Sequence, residues 1–106
     1  DGDCLEITAM IEAFSAAYFD GDVEGMREFL ADTYEGEPET YESAGAVSDL
    51  TVKGLSASDE KKIEDERCVA SLEFRDSTYE DMFLYLTFEF VRQEDGWKIE
   101  FYGVEG

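Results

Sequence analysis

Histidine is absent from this sequence. That removes the side chain whose ordinary pKa lies nearest neutrality, and with it the commonest general base and zinc ligand. Basic residues are scarce: eight Lys and Arg stand against 28 Asp and Glu, a net charge of −20. Nucleic acids and anionic membranes are bound by clustered bases that displace counterions. The densest basic pair here, Lys61-Lys62, is flanked by Glu60 and Glu64, so neither is expected as a partner. No apolar run approaches the ~18 residues of a membrane span, and no transmembrane segment is expected. Proline occurs once, at Pro38. The chain opens on Asp1-Gly2-Asp3 without a signal peptide and reads as a mature or trimmed N-terminus.

The two cysteines, Cys4 and Cys68, fit no metal motif. They are compatible with one disulfide, worth roughly 4 kcal/mol on the chain-entropy model. They are also compatible with two buried thiols acting as small hydrophobes, and the position of Cys4 near a chain end weighs slightly against the bridge.

What is present is a core. Hydrophobic residues make up 43% of the 106 residues and aromatics 14%, enough for one folded domain despite the charge. The acids are spread along the chain without a dense cluster, which fits a solubilising surface.

Asp3 with Glu6 three residues on has the form of a capping box. Ile7, Met10, Ile11, Phe14, Ala17 and Tyr18 then follow helical spacing, with Thr8, Glu12 and Ser15 opposite. Asp20-Gly21 ends this helix, and Asp22 opens a second whose stripe is Val23, Met26, Phe29 and Leu30. Residues Asp32 to Ala46 read as a loop with a helical turn near Tyr41 to Ala44.

The remainder alternates as strands do. The expected strands are Val47 to Leu55, with a bulge at Gly54, then Arg67 to Arg75, Asp81 to Arg92 and Trp97 to Val104. Ser56 to Glu66 is a polar connection, and Gln93 to Gly96 is a hairpin turn. The fold class is therefore α+β, two N-terminal helices on a mainly antiparallel sheet of about four strands.

Parity sorts the last three strands. One face carries Cys68, Ala70, Leu72, Phe74, Met82, Leu84, Leu86, Phe88, Phe90, Trp97, Ile99 and Phe101, and must meet the helices. The other mixes Ser71, Glu73, Arg75, Thr87, Glu89, Lys98 and Glu100 with Phe83, Tyr85, Val91, Tyr102 and Val104. That face is either solvated, with cross-strand pairs such as Glu89 with Lys98, or a partner surface. As a partner surface, its simplest use is a two-fold homodimer through Phe83, Tyr85, Val91, Tyr102 and Val104, strengthened by salt.

The stretch Ala13-Phe14-Ser15-Ala16-Ala17-Tyr18-Phe19-Asp20-Gly21-Asp22 resembles the first helix and Gly-Asp turn of the NTF2-like (cystatin-like α+β) superfamily. The closing hairpin Tyr85 to Tyr102, with Asp95-Gly96-Trp97-Lys98-Ile99 at its turn, is similar too, and the element order covers nearly the whole chain. The look is that of small secreted or lipid-anchored members from Gram-positive bacteria. A lipidated cysteine would then lie upstream, since the residues before Cys4 form no lipobox. The resemblance implies a sheet curved into a cone around the first helix, with a pocket at the wide end. It implies no single activity, because the superfamily holds hydrolases, dehydratases, isomerases and inert binding modules.

Enzymes of that superfamily set an Asp–His pair, or Tyr and Asp groups, on inward positions. Here no carboxylate is expected inward on the last three strands, and Glu6 and Glu12 turn away from the first helix's stripe. Inward polar candidates are Tyr18, Tyr34, Tyr41, Asp49 and Thr51. Cys68 among apolar neighbours is expected to be inert. Asp20 to Glu24 lacks the glycine and terminal glutamate of a calcium loop, so no metal and no cofactor is expected. The expected function is a non-enzymatic binding domain outside a bacterial cell, taking a small apolar ligand or a protein partner. Its pocket candidates are Phe14, Tyr18, Tyr34, Tyr41, Phe74 and Trp97. The alternatives are a purely structural dimerisation module and an enzyme drawing a carboxylate from residues 32–49.

Overall fold

Helical spacing places one apolar stripe along the N-terminal helix, and in the computed structural model that stripe is the keel of the core. The structure describes residues 2–53 and 66–105. The elements are α1 (Gly2–Asp20), α2 (Val23–Arg27), β1 (Val47–Lys53), β2 (Arg67–Asp76), β3 (Leu84–Gln93) and β4 (Gly96–Glu105). The four strands form one antiparallel sheet in the order β1-β2-β3-β4. Ile7, Ile11, Phe14 and Tyr18 of α1 share a core with Leu72, Phe74, Leu86, Phe88, Phe90 and Ile99 of the sheet. Each fully buried side chain of this size contributes about 1.5–3 kcal/mol by leaving water.

The helix boundary follows its local chemistry. Gly21 takes φ +76°, a left-handed conformation that costs glycine little, and stops α1. Asp22 then caps α2 by accepting the Gly25 amide at 3.0 Å. Beyond α2 the chain runs beside β4: Ala31 donates to the Ile99 carbonyl and the Ile99 amide to the Phe29 carbonyl, each at 2.8 Å. That pairing covers part of an otherwise open sheet edge.

The other end of α1 departs from the expected capping box. Asp3 lies within the helix, and both acids reach across to the β3–β4 hairpin. Glu6 accepts the Trp97 amide at 3.0 Å. Asp3 accepts the Trp97 indole N–H at 3.2 Å and the Arg92 guanidinium at 2.6 Å. Tertiary donors outcompete the local cap here because they anchor the helix to the sheet. Ser15, expected on the outer side of α1, is buried, and its hydroxyl has no partner among the described residues.

Two bulges redirect the sheet. On β4, Glu89 pairs with Phe101 while its neighbour Phe90 pairs with Ile99, so Glu100 is an extra residue. The bulge inverts parity downstream of it. Phe101, expected inward, faces out at 50% exposure, and Tyr102, expected outward, turns into the core. Val104 pairs with the buried Leu86 and so also lies on the helix side. The expected Glu89–Lys98 pair becomes Val91–Lys98.

On β1 the irregularity falls between Ser48 and Thr51, where Asp49 takes φ +57°. The expected bulge at Gly54, the polar connection before Glu66 and the Lys61-Lys62 pair lie outside the described residues. Met82 precedes β3, in the link that follows β2, and is exposed rather than inward. No helical turn forms at 41–44. That segment's hydrogen bonds go to the β2–β3 link instead, through pairs such as Ser43 with Thr78 and Ala46 with Ser77.

Candidate functional site

Five of the six expected pocket residues converge. Phe14 stacks on Tyr18 at 6.1 Å, and Tyr18 meets Tyr41 at 5.9 Å. Tyr41 sets its edge on Phe74 at 5.5 Å. Tyr34 joins through Tyr102, whose ring it parallels at 5.7 Å, and Tyr102 in turn packs on Phe14 at 5.0 Å. Tyr102 enters this cluster only because of the β4 bulge. Trp97 stands apart, at the opposite end of α1, with the Arg92 guanidinium 4.7 Å over its ring. Phe14 and Phe74 are fully buried and Tyr18 nearly so. The rings contact one another, and the space they were expected to line is the space they fill.

The hydroxyls are committed as well. Tyr102 accepts the Glu39 amide at 2.8 Å and donates to the Glu39 carbonyl at 2.9 Å, which fastens the 32–46 segment over the core. Tyr41 donates to Asp76 at 2.5 Å. Asp76 is an inward carboxylate at the end of β2, one residue beyond the expected strand and 2% exposed. It also accepts the Thr78 amide at 2.8 Å. The Tyr41 hydroxyl, and after it the Thr78 amide, hold its pKa down at about 2. A carboxylate so held is a poor base and stays ionised at neutral pH. Acid catalysis needs the opposite, a carboxyl raised towards neutrality.

Burial first, then the Asp76 bond, pushes the Tyr41 hydroxyl well above its usual range. Burial also raises Tyr102, and it carries Tyr18 up to about 12. Asp49 and Thr51, expected as inward polar groups, are exposed. So are the carboxylates of residues 32–49: Asp32, Glu35, Glu37, Glu39 and Glu42 as well as Asp49. Cys4 and Cys68 are both buried and are not joined in a disulfide. Burial, with Cys4 nearby, raises Cys68 to about 11, which leaves little thiolate.

The outer face of the sheet is the second surface of interest. Of the expected dimer residues, Phe83, Tyr85 and Val91 lie there, whereas the bulge removes Tyr102 and Val104. In their place stand Val69, 60% exposed, and Phe101, on either side of Glu89 in one cross-strand row. Gly103 lets the Phe101 ring lie along β4, since a Cβ there would come within 3.3 Å of it.

The charges of this face are unlike those of the rest. Lys53, Arg67, Arg75 and Lys98, half of the chain's eight bases, project from it, and so do the acids Glu73, Glu89, Glu100 and Glu105. They are interleaved. Arg67 pairs with Glu100 at 2.7 Å, Lys53 lies 3.8 Å from Glu73, and the Arg75 guanidinium sits 4.9 Å over Phe83. Among the described strand residues of this face, the four bases balance the four acids.

No protein-family model matches the chain, and no curated protein or solved structure matches it. Among the described residues, no helix is long and apolar enough to cross a membrane, and no group of three Cys, Asp or Glu could hold a metal ion.

Proposed function

We propose that this chain is a non-enzymatic binding and assembly domain that works through the outer face of its sheet, and that its simplest partner is a second copy of itself. The carrying observation is the charge balance of that face. Two molecules of charge −20 repel each other in most orientations. Face to face through β1–β4 they bring together surfaces bearing Val69, Phe101 and Phe83, on which the described bases and acids balance and pair within each chain.

A protein partner is favoured over a small apolar ligand because the aromatic residues beneath the 32–46 segment occupy one another. The catalytic alternative is disfavoured because Asp76, the one deeply buried carboxylate among the described residues, is held ionised by its donors. Membership of the NTF2-like superfamily, and a place outside a bacterial cell, belong to the same proposal. They rest on the Ala13 to Asp22 and Tyr85 to Tyr102 resemblances and on the order of elements.

Phe101→Glu tests the face. The residue is half exposed, so the fold should persist, with unchanged circular dichroism and Trp97 fluorescence. Sedimentation velocity should show self-association of the parent weakened at least about tenfold, the loss of one interface anchor. Unaltered association in the variant would eliminate this face as the contact.

A further inference from the structure

A separate open groove of about 710 Å³ lies where α1 ends against residues 40–47. Its walls are fixed on both sides. The Tyr41 amide donates to the Tyr18 carbonyl at 3.1 Å, and the Tyr41 hydroxyl is tied to Asp76. Ala46 donates to Ser77 Oγ at 2.8 Å and accepts the Ser77 amide at 2.9 Å.

Two half-buried rings line the groove, Phe19 and Tyr41, meeting edge to face with centroids 5.4 Å apart and planes at 81°. Two exposed carboxylates, Asp20 and Glu42, line it too. Asp20 is the last residue of a 19-residue helix with no base in its final turn. The negative end of the helix dipole therefore adds to the two carboxylates instead of being offset.

From this geometry we infer that the groove between Phe19, Asp20, Tyr41 and Glu42 binds a weakly hydrated organic cation, of the methylated ammonium or guanidinium class. Ring faces attract such cations through their quadrupole, and the carboxylates supply the opposite charge. A bare metal ion would need a cage of oxygens, and no such group occurs among the described residues. A compact, strongly hydrated ammonium gains less from ring faces than a methylated or planar cation does. The groove is on the helix side of the molecule, so this site is independent of the outer face.

The test is an NMR titration with tetramethylammonium chloride, against sodium chloride at equal ionic strength, and with N-acetylarginine amide as a second probe. Saturable shifts at the Phe19 and Tyr41 rings, absent with sodium, are expected. Asp20→Asn with Glu42→Gln, both exposed, should weaken binding about tenfold, at about threefold per charge. Phe19→Leu should cost about threefold, and Phe101→Glu should leave binding unchanged. Tighter binding of the arginine probe would support a guanidinium-bearing partner, and tighter binding of tetramethylammonium a small methylated ammonium. Linear shifts equal to those with sodium, or saturable binding indifferent to the carboxylate variant, would overturn the inference.

Discussion

Alkaline titration probes the aromatic cluster directly. Tyr18, Tyr41 and Tyr102 all ionise above their ordinary value, chiefly because burial opposes the phenolate. A raised folded-state pKa means stability that is complete below the unfolded pKa of about 10 and is lost as pH rises through the folded value. For Tyr18, nearly inaccessible and shifted to about 12, the window is pH 10 to 12. At about 1.4 kcal/mol per unit, it withdraws roughly 3 kcal/mol across that window. Tyr41 and Tyr102 act in the same direction. Together they should withdraw a large share of a net stability that is typically ~5–15 kcal/mol, and so bring the cooperative unfolding transition into the alkaline range. The assay follows tyrosinate absorbance and circular dichroism together. The expected record has the core tyrosines ionising in step with loss of structure, above the pH of a model phenol. Ionisation of all six tyrosines at the ordinary value, with the dichroism intact, would refute a packed cluster.

Tyr41→Phe should cost about 1–3 kcal/mol in urea unfolding, since it leaves the buried Asp76 carboxylate short of a donor. Asp76 stabilises fully above its unfolded pKa of about 4, and that contribution is lost as pH falls towards 2. The same variant should therefore move the acid-unfolding midpoint upward, and an unmoved midpoint would deny the bond its role. Ser15→Ala removes a buried hydroxyl without a partner and should be neutral or stabilising by up to ~1 kcal/mol. A loss of more than ~1 kcal/mol would show that the hydroxyl is bonded after all. For Cys4 and Cys68, intact mass with and without reductant should show no bridge, and both buried thiols should react slowly with a thiol reagent until the chain unfolds. A mass lower by two hydrogens would establish the bridge.

Much of the fold could be read from short-range chemistry. Asp20-Gly21-Asp22 marks a helix end and a helix start because glycine's left-handed φ and aspartate's cap are local requirements. The alternation Cys68-Ala70-Leu72-Phe74 holds because a strand's period is fixed by its backbone. What could not be read depends on partners distant in sequence. The β4 bulge at Glu100 carries no glycine or proline to announce it, yet it exchanges Phe101 for Tyr102 and so decides which aromatic joins the core. Asp3 and Glu6 have the form of a local cap, but they bind Trp97 and Arg92 some ninety residues away. Asp76 carries no signal of its own in the sequence, because a carboxylate at the end of an apolar face looks like a strand terminus, and its role comes from Tyr41, distant in sequence. The charge balance of the outer face is legible only in part. The bases can be counted from sequence, but their grouping on one surface depends on strand register.

Light scattering after size-exclusion chromatography, at low and at high salt, meets the central claim head on. Attraction through a charge-balanced, partly apolar face opposed by the repulsion of two −20 bodies predicts a shift from monomer towards dimer as salt screens the long-range term. In Phe101→Glu the association should be weaker by at least about tenfold at every salt concentration. A strict monomer in both conditions, or a dimer that dissolves as salt is added, would contradict association through the outer sheet face.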